Sequence, residues 1–192
     1  MSKVFLAVSM SLDGFIGRPD DDVGPLHDWL FSGKTGDDDA FLKPADQRNG
    51  EVLDETLARI GATVVGRRTF DVTDGWGGDP PIPTTYFVLT HRGPVGRPKG
   101  RSEFTFVGDG IDSAVEQAKA AAGQKDVSVM GASIAQQCLA AGLLDDMCLS
   151  VVPVLLGNGV RLFEQDIAEL PLEQVDVVAT PEVTHLKYRV VK

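Results

Sequence analysis

The chain has 192 residues, of which 43% are hydrophobic and 24% charged, and its formal net charge is -10. These proportions are ordinary for a soluble globular protein, and the length suits one domain over residues 1–192 with a sizeable core. The acidic balance argues against a nucleic-acid partner and an anionic membrane surface, because both demand a basic face. The longest apolar runs fall far short of a membrane span, so we expect a cytoplasmic protein.

The first predicted elements are a strand, a long connection and a helix. Val4–Met10 is an unbroken apolar run, typical of a central strand covered on both faces. The glycine-containing loop SLDGFIG at 11–17 follows, and residues 18–47 form a long irregular segment. Asn49–Ile60 predicts a helix from its apolar face, with Gly61 as its stop.

The rest of the chain predicts strands that alternate with helices and then a hairpin. Strands are predicted at Thr63–Val65, Tyr86–Thr90, Phe104–Val107, Val127–Met130 and Met147–Leu156, and helices at 112–122 and 132–141. The hairpin joins Leu172–Ala179 to Val183–Val191, where His185 falls on the wet face of an alternating pattern. This order predicts an α/β fold whose sheet is mostly parallel with an antiparallel edge.

Unusual residues follow three of these predicted strands. GRRT follows at 66–69, THR at 90–92 and GAS at 131–133. Ligands of open α/β sheets bind beyond the carboxyl ends of the strands, so the three segments indicate one binding site. Two of these segments also have a structural explanation. The glycine at 131 could do no more than form a tight turn, and the arginines at 67 and 68 could be a solvated pair on a short helix.

The chemistry of these segments favours an anion with an additional phosphate. A glycine between a strand and a helix lets a phosphate approach the backbone, where first-turn N–H groups and the helix dipole attract it. A guanidinium fork suits a phosphate better than an ammonium does. Arginines at 67, 68 and 92 therefore favour NADP(H) over NAD(H), since an NAD site more often places an acidic residue on the ribose hydroxyls.

Five short motifs, in order, resemble a known family. GRRTF at 66–70, FVLTHR at 87–92 and VMGAS at 129–133 resemble the dihydrofolate-reductase fold. SLDGFIG and PVLLGNGVRLF at 153–163 are similar to the reductase domain of bifunctional riboflavin-biosynthesis deaminase–reductases. The resemblance runs from about Lys3 to Val191 and implies a three-layer fold with helices on both faces of the sheet.

The resemblance implies NADPH as the hydride donor, laid across the carboxyl ends of the strands. The cofactor contacts that it implies are Ala7, Ile16, Gly66, Arg67, Arg68, Thr69, Leu89, Thr90, His91, Arg92, Met130, Gly131, Ala132, Ser133 and Ile134. Residues 67–69 would hold the 2′-phosphate and pyrophosphate side, and 90–92 would flank the adenosine. Residues 131–134 would take the pyrophosphate, and Ala7 and Ile16 would line the nicotinamide.

The substrate side is less defined. Dihydrofolate reductases bind the pterin with an acid at the start of the first helix, and Glu51 and Asp54 lie near that place. Asp13 is a third candidate for the catalytic group, although an Asp-Gly turn also explains it. Ordered water could supply the proton instead. Trp29 and Trp76 could stack on a planar heterocycle or only pack.

These patterns predict an NADPH-dependent reductase of a small heterocyclic or carbonyl substrate. Dihydrofolate reduction and an inactive NADP-binding protein are the alternatives. The zinc motifs of a deaminase are absent from the sequence, and a metal site at the acidic runs 20–22 and 37–39 is disfavoured because companion histidines are missing. By analogy we expect a homodimer that pairs through the apolar stretch Val151–Leu156 and the hairpin.

Overall fold

The computed structural model describes residues 2–35, 42–93, 98–163 and 169–192. The strands are β1 (Val4–Ser11), β2 (Phe15–Gly17), β3 (Ile60–Gly66), β4 (Thr85–Leu89), β5 (Phe104–Val107), β6 (Asp126–Met130), β7 (Asp146–Val152), β8 (Val160–Arg161), β9 (Leu172–Ala179) and β10 (Thr184–Val190). The helices are α1 (Asp28–Phe31), α2 (Gln47–Arg59), α3 (Arg67–Val72), α4 (Ile111–Ala122) and α5 (Ala132–Ala140), with short 3-10 turns at Gly24–His27 and Asp74–Gly78. The acidic run at 37–39 lies outside the described residues.

Eight strands form the main sheet in the order β5-β4-β3-β6-β1-β7-β10-β9. Pairing is parallel between β5 and β4, β4 and β3, β3 and β6, and β6 and β1, whereas β9 and β10 are antiparallel. Helices lie around this sheet, and β2 and β8 pair separately. The predicted fold class is confirmed.

The described chain divides into two compact units. The first unit comprises the chain up to Leu6, Arg59–Asp146 and Lys192, and the second comprises Ala7–Ala58 and Met147–Val191. Strand β1 has residues in both. The single domain over residues 1–192 stays a prediction.

The core of the first unit fixes α3 to the sheet. Phe70 of α3 packs with Val65, Tyr86, Val88 and Phe104 of β3, β4 and β5, and all five side chains are buried. The rings of Phe70 and Phe104 meet edge to face with centroids 5.4 Å apart, a geometry that adds to the area they bury. Because Phe70 is anchored, the first turn of α3 is held at the end of β3.

An ionic cluster lies at the opposite, amino ends of strands in the first unit. The guanidinium of Arg59 reaches Asp126 at 2.9 Å and Asp146 at 2.8 Å. Lys3 also contacts Asp146, at 3.0 Å, and the Arg59 guanidinium lies 4.1 Å from the centroid of the Phe5 ring. The positive charge of Arg59 is therefore balanced by two carboxylates and an aromatic face, and this cluster holds the starts of the strands together.

Residues Asp74–Gly78, which we call the left-handed turn, follow α3. All five have positive φ, between 48° and 92°, a conformation that costs energy for a residue with a side chain. Trp76 within it lies against the Tyr86 ring, with centroids 5.6 Å apart. Gly78 and Gly100 touch backbone to backbone, and a Cβ on either would collide with the other. The loops on both sides of β4 are therefore joined.

The core of the second unit uses part of the segment predicted to be irregular. Leu26 and Trp29 are buried with Val152 and Val183. The predicted strand to Leu156 is wrong beyond Val152, where β7 ends. Beyond this point the Asp13 carboxylate accepts hydrogen bonds from the backbone N–H groups of Leu156 and Gly157.

Three other local predictions are wrong. Gly61 does not stop α2 but lies inside β3, where a Cβ would come within 2.8 Å of Ala122 in α4. The SLDGFIG loop contains β2, which pairs with β8. His185 is completely buried and not on a wet face, because hydrogen-bonding partners replace water around its ring.

Candidate functional site

The first unit brings together the three segments that follow predicted strands. Gly66 at the end of β3 lies opposite Leu89 of β4, and Val65 lies opposite Met130 of β6. Since β4, β3 and β6 are adjacent and parallel, residues 66–69, 90–92 and 131–134 share one edge of the sheet. The predicted neighbourhood of these segments is confirmed, whereas their contact with a cofactor stays a prediction.

Gly131 connects β6 to α5 in a conformation that other residues rarely adopt. Its φ is 97°, and a Cβ there would lie 3.0 Å from the Thr69 hydroxyl. Ala132 and Ile134 are buried and anchor the first turn of α5, whereas Ser133 is exposed and its hydroxyl accepts a hydrogen bond from Gln137. Within the described chain no side chain caps α5, so its first N–H groups remain available to an anion.

Gly66 plays a different part from the one that its sequence position suggests. Its φ of -74° is open to any residue, and a Cβ would make an ordinary 3.5 Å contact with Ile134. The expectation that this glycine makes room for a ligand therefore receives no support from the backbone. The close approach belongs to Gly131 and Thr69.

The arginine pair begins α3. The Arg67 side chain is largely covered, 17% exposed, because it is ion-paired with Asp71 at 2.7 Å and approaches the Gly93 carbonyl at 3.5 Å. Arg68 is exposed. One guanidinium is thus held in place at the sheet edge by its own helix, and the neighbouring residue is exposed.

The segment after β4 is shaped by Thr90. This residue is buried, and its hydroxyl accepts a hydrogen bond from the Arg92 backbone N–H at 3.1 Å. Its own N–H donates to the Val107 carbonyl. The result is a turn that presents His91 and Arg92 to solvent, so Arg92 is the third cation on this edge of the first unit.

In the second unit, Asp13 organises a turn. Its carboxylate accepts hydrogen bonds from the Ser11 hydroxyl at 2.6 Å and from the N–H groups of Leu156 and Gly157 at 3.1 and 2.7 Å. The Ser11 hydroxyl is the main cause that lowers the pKa of Asp13 to about 2, helped by the two N–H groups. An ionised carboxylate at neutral pH is an acceptor and not a proton donor, so the Asp-Gly turn explains Asp13 better than acid catalysis does.

The other predicted residues of the second unit lie on separate elements. Ala7 in β1 and Ile16 in β2 are half-buried. Glu51 and Asp54 are both exposed on α2. The Glu51 carboxylate accepts a hydrogen bond from Gln47 and lines an open depression between α2 and the hairpin. Their catalytic roles stay predictions.

A buried polar chain in the second unit was missed in the sequence. The Ser150 hydroxyl lies 2.8 Å from His185 Nδ1, His185 Nε2 lies 3.1 Å from Asn49 Oδ1, and the Asn49 amide donates to Glu182 at 3.2 Å. Because a carboxylate only accepts, the Asn49 oxygen must face the ring, so His185 donates from Nε2 and accepts at Nδ1. Burial lowers the pKa of His185 to about 4, with a smaller contribution from Lys187.

The sequence carries weak signals for this buried series of hydrogen bonds. Asn49 falls on the apolar face of α2 beside Val52, and both are buried. An amide in that place predicts a buried partner. Its partner His185 is 136 residues away, and nothing in the local alternation identifies it.

The two tryptophans differ in their surroundings. Trp29 is buried, donates from its ring nitrogen to the Ser9 hydroxyl at 3.0 Å, and meets the His185 ring edge to face. It is therefore a packing residue. Trp76 is half-buried on Tyr86 and keeps an exposed part.

In the ranges that the structure covers, no helix has the length and apolar character needed to cross a bilayer. Those same ranges contain no cluster of three or more His, Cys, Asp or Glu side chains suited to a metal ion.

Solved structures define the class of fold. A Shewanella sp. PV-4 protein named for riboflavin biosynthesis aligns with a TM-score of 0.72 and 22% identity over 99% of each chain. The riboflavin biosynthesis reductase of Saccharomyces cerevisiae aligns at 0.64 and 12% over 99% of this chain and 90% of the other. Dihydrofolate reductase from Enterococcus faecalis, solved with NADP(H), aligns at 0.59 and 14% over 99% of this chain and 97% of the other. The fold is dihydrofolate-reductase-like.

The family follows from the sequence. The model of the RibD C-terminal domain matches residues 2–186. This chain belongs to the RibD C-terminal domain family. No curated protein sequence matches it at a significant level.

Proposed function

We propose that this chain is an NADPH-dependent reductase that transfers a hydride to a small heterocyclic or carbonyl substrate, a pyrimidinone above all. One observation supports the proposal: in the first unit the adjacent parallel strands β4, β3 and β6 are followed by Arg92, by Arg67 and Arg68, and by the uncapped start of α5. Such a concentration of cations in a chain of net charge -10 fits an anionic ligand with more than one phosphate.

The residues of this edge fit the cofactor's phosphates. The Gly131 backbone leaves open the place that a Cβ would fill beside Thr69, and the N–H groups of Ala132 and Ser133 would bind a pyrophosphate there. Arg67, oriented by Asp71, and Arg68 would bind the 2′-phosphate. Residues His91 and Arg92 would flank the adenosine.

When bound, NADPH supplies the hydride. The protein's part is to orient the cofactor, exclude water and leave a proton source near the reacting atom. Asp13 is ionised at neutral pH, so it would hold the loop after β7 in place. The proton would come from ordered water.

Dihydrofolate is the less favoured substrate. Its reductases use an acid at the start of the first helix, but the buried side chain at the start of α2 is the amide of Asn49. That amide is already bonded to His185 and Glu182, and the carboxylates Glu51 and Asp54 are on the exposed side of α2. A pyrimidinone substrate is also in keeping with the family.

The cofactor proposal is tested by fluorescence titration with NADPH and NADH. We expect tighter binding of NADPH, and in Arg68→Ala a weakening of NADPH by roughly tenfold with little change for NADH, because only NADPH carries the charge-assisted contact. The matched control is Arg101→Ala, an exposed arginine of the same unit that pairs with Asp79. Equal affinity for both nucleotides, or none for either, would refute the proposal.

Turnover is tested by the loss of reduced-nicotinamide absorbance with a ribosylaminopyrimidinone phosphate and, separately, with dihydrofolate. We expect oxidation with the pyrimidinone only. Oxidation with dihydrofolate alone would assign the other reductase activity. Tight NADPH binding without oxidation over a broad carbonyl panel would assign an inactive NADP-binding protein.

A further inference from the structure

Two serine hydroxyls are buried inside strands of the second unit. Ser9 in β1 and Ser150 in β7 are each 6% exposed, and β1 and β7 are neighbours in the sheet. Burying a hydroxyl costs free energy unless hydrogen bonds replace those it made with water. Among the described residues each of the two hydroxyls makes a single hydrogen bond. Each therefore keeps one side for a further partner.

The unused side of Ser9 is its donor. The Trp29 indole nitrogen donates to the Ser9 hydroxyl oxygen at 3.0 Å, and an indole N–H can only donate. The hydrogen of the Ser9 hydroxyl therefore has no acceptor in the part of the chain that the structure describes. Trp29 is itself buried and meets the His185 ring with centroids 4.9 Å apart, so its packing fixes the direction from which the Ser9 oxygen is held.

The unused side of Ser150 is its acceptor. Burial keeps the pKa of His185 at about 4, so the ring is neutral at neutral pH. Its Nε2 donates to Asn49, which leaves Nδ1 to accept from the Ser150 hydroxyl at 2.8 Å. The direction is set by the Glu182 carboxylate, which accepts from the Asn49 amide. Hydrogen bonds aligned in this way polarise one another, so the Ser150 oxygen at their end is a strengthened acceptor.

We propose that Ser9 and Ser150 together bind the planar amide edge of the substrate, with Ser9 donating to a ring carbonyl and Ser150 accepting from the adjacent ring N–H. This inference rests on the proposed reductase function. It narrows the substrate to a cyclic amide such as a pyrimidinone, because a simple ketone or aldehyde has no N–H to donate to Ser150.

The position of the two strands agrees with this role. Neighbouring strands lie about 4.8 Å apart, so hydroxyls on β1 and β7 can reach the same small ring. Ala7 precedes Ser9 by two residues on β1 and therefore lies on the same face of the strand. Since Ala7 is expected to line the nicotinamide, a ring held by Ser9 would lie close to the hydride donor.

Calorimetric titration of the protein saturated with NADP+ tests the pair, with 6-aminouracil as the probe. We expect the wild-type chain to bind it, and Ser9→Ala and Ser150→Ala to bind it roughly tenfold more weakly, because each loses one hydrogen bond to the ring. The matched control is Ser128→Ala, since Ser128 is 5% exposed in β6 of the first unit. Equal affinity of all four proteins for the probe would overturn the proposal.

A methylated probe tests which serine accepts the N–H. In 6-amino-1,3-dimethyluracil both ring nitrogens have lost their hydrogen, so we expect the wild-type chain to prefer 6-aminouracil by roughly tenfold. Ser150→Ala should lose most of this preference because it has no acceptor for the N–H, whereas Ser9→Ala should keep it. A preference that Ser150→Ala leaves intact would rule out Ser150 as the acceptor.

Two further measurements separate substrate binding from folding and from the cofactor. Ser150→Ala also removes the donor to His185, so Ser150→Thr, which keeps a hydroxyl, should restore most of the affinity for 6-aminouracil, and urea unfolding verifies that each variant folds. The affinity for NADPH should be the same in every variant. A wild-type chain that binds NADPH but not 6-aminouracil would overturn this inference alone, whereas a chain that does not bind NADPH would refute the proposed function and this inference with it.

Discussion

Gly66 is the last residue of β3 and Gly131 directly follows β6, but their conformations differ. We expect Gly131→Ala to lower the free energy of unfolding by roughly 1–3 kcal/mol, because its φ of 97° is strained for any side chain and the Cβ would crowd Thr69. The same substitution should weaken NADPH binding by filling the phosphate's approach. Urea unfolding and cofactor titration measure the two effects.

Gly66→Ala is the control for that variant. Its φ is -74° and the added Cβ would make an ordinary contact, so we expect a stability change within about 0.5 kcal/mol. If both substitutions cost the same, the close approach of Gly131 to Thr69 is not what fixes this connection.

His185 makes stability depend on pH. Burial holds the pKa of His185 in the folded chain at about 4, below its ordinary value of 6.5. Below pH 6.5 this side chain is therefore protonated in the unfolded chain but not in the folded chain. Stability from this group is complete above pH 6.5 and decreases as the pH falls to about 4, by up to about 3 kcal/mol. Urea unfolding at a series of pH values should show the decline.

The variant His185→Gln separates this effect from others. A glutamine amide can donate to Asn49 and accept from Ser150 but does not titrate, so we expect lower stability at neutral pH and a smaller decline below pH 6.5. Part of the decline remains, because burial also lowers the pKa of His27. An unchanged slope would mean that His185 is not the group responsible.

At the scale of elements, the left-handed turn offers a matched pair of glycines. Gly75 and Gly77 have similar φ, 55° and 61°, but a Cβ on Gly75 would lie 2.8 Å from the Phe70 ring, whereas Gly77 faces open space. We expect Gly77→Ala to cost about 1 kcal/mol from backbone strain and Gly75→Ala about 3 kcal/mol, since crowding is added. Urea unfolding compares them, and equal costs would contradict the packing of this turn on α3.

Element types were largely predictable, whereas some element ends were not. The alternation of strands and helices and the hairpin at Leu172–Ala179 follow from periodicity and turn residues, and the structure confirms them. The prediction for Gly61 was wrong because a glycine after a helical run usually ends the helix. Here the glycine is needed for another reason, the close contact of its backbone with Ala122. Short β2 depends on a distant partner, β8, which local sequence does not reveal.

At the scale of the whole molecule, one part of the candidate site could be predicted from the sequence and another could not. The segments at the strand ends could be placed together because parallel strands share an edge. The contact of Asp13 with the backbone at Leu156 and the contacts of His185 with Ser150 and Asn49 could not, since these partners are more than 30 residues away.

Cofactor binding should stabilise the whole fold. A ligand that binds only the folded chain adds about 2.7 kcal/mol at a hundred times its dissociation constant. We therefore expect NADPH to raise the Tm, and NADH at the same concentration to raise it less. Thermal scans measure this, with Arg101→Ala responding like the wild type. A Tm unaffected by NADPH would contradict binding to the native state.

The two tryptophans are distributed one to each unit, Trp76 in the first and Trp29 in the second. Intrinsic emission can therefore report on each half of the chain in turn: replacing either indole with phenylalanine leaves the other as a sole reporter. Coincident denaturation curves from the two single-tryptophan proteins would mean that the halves melt as one cooperative block, whereas separated curves would reveal two.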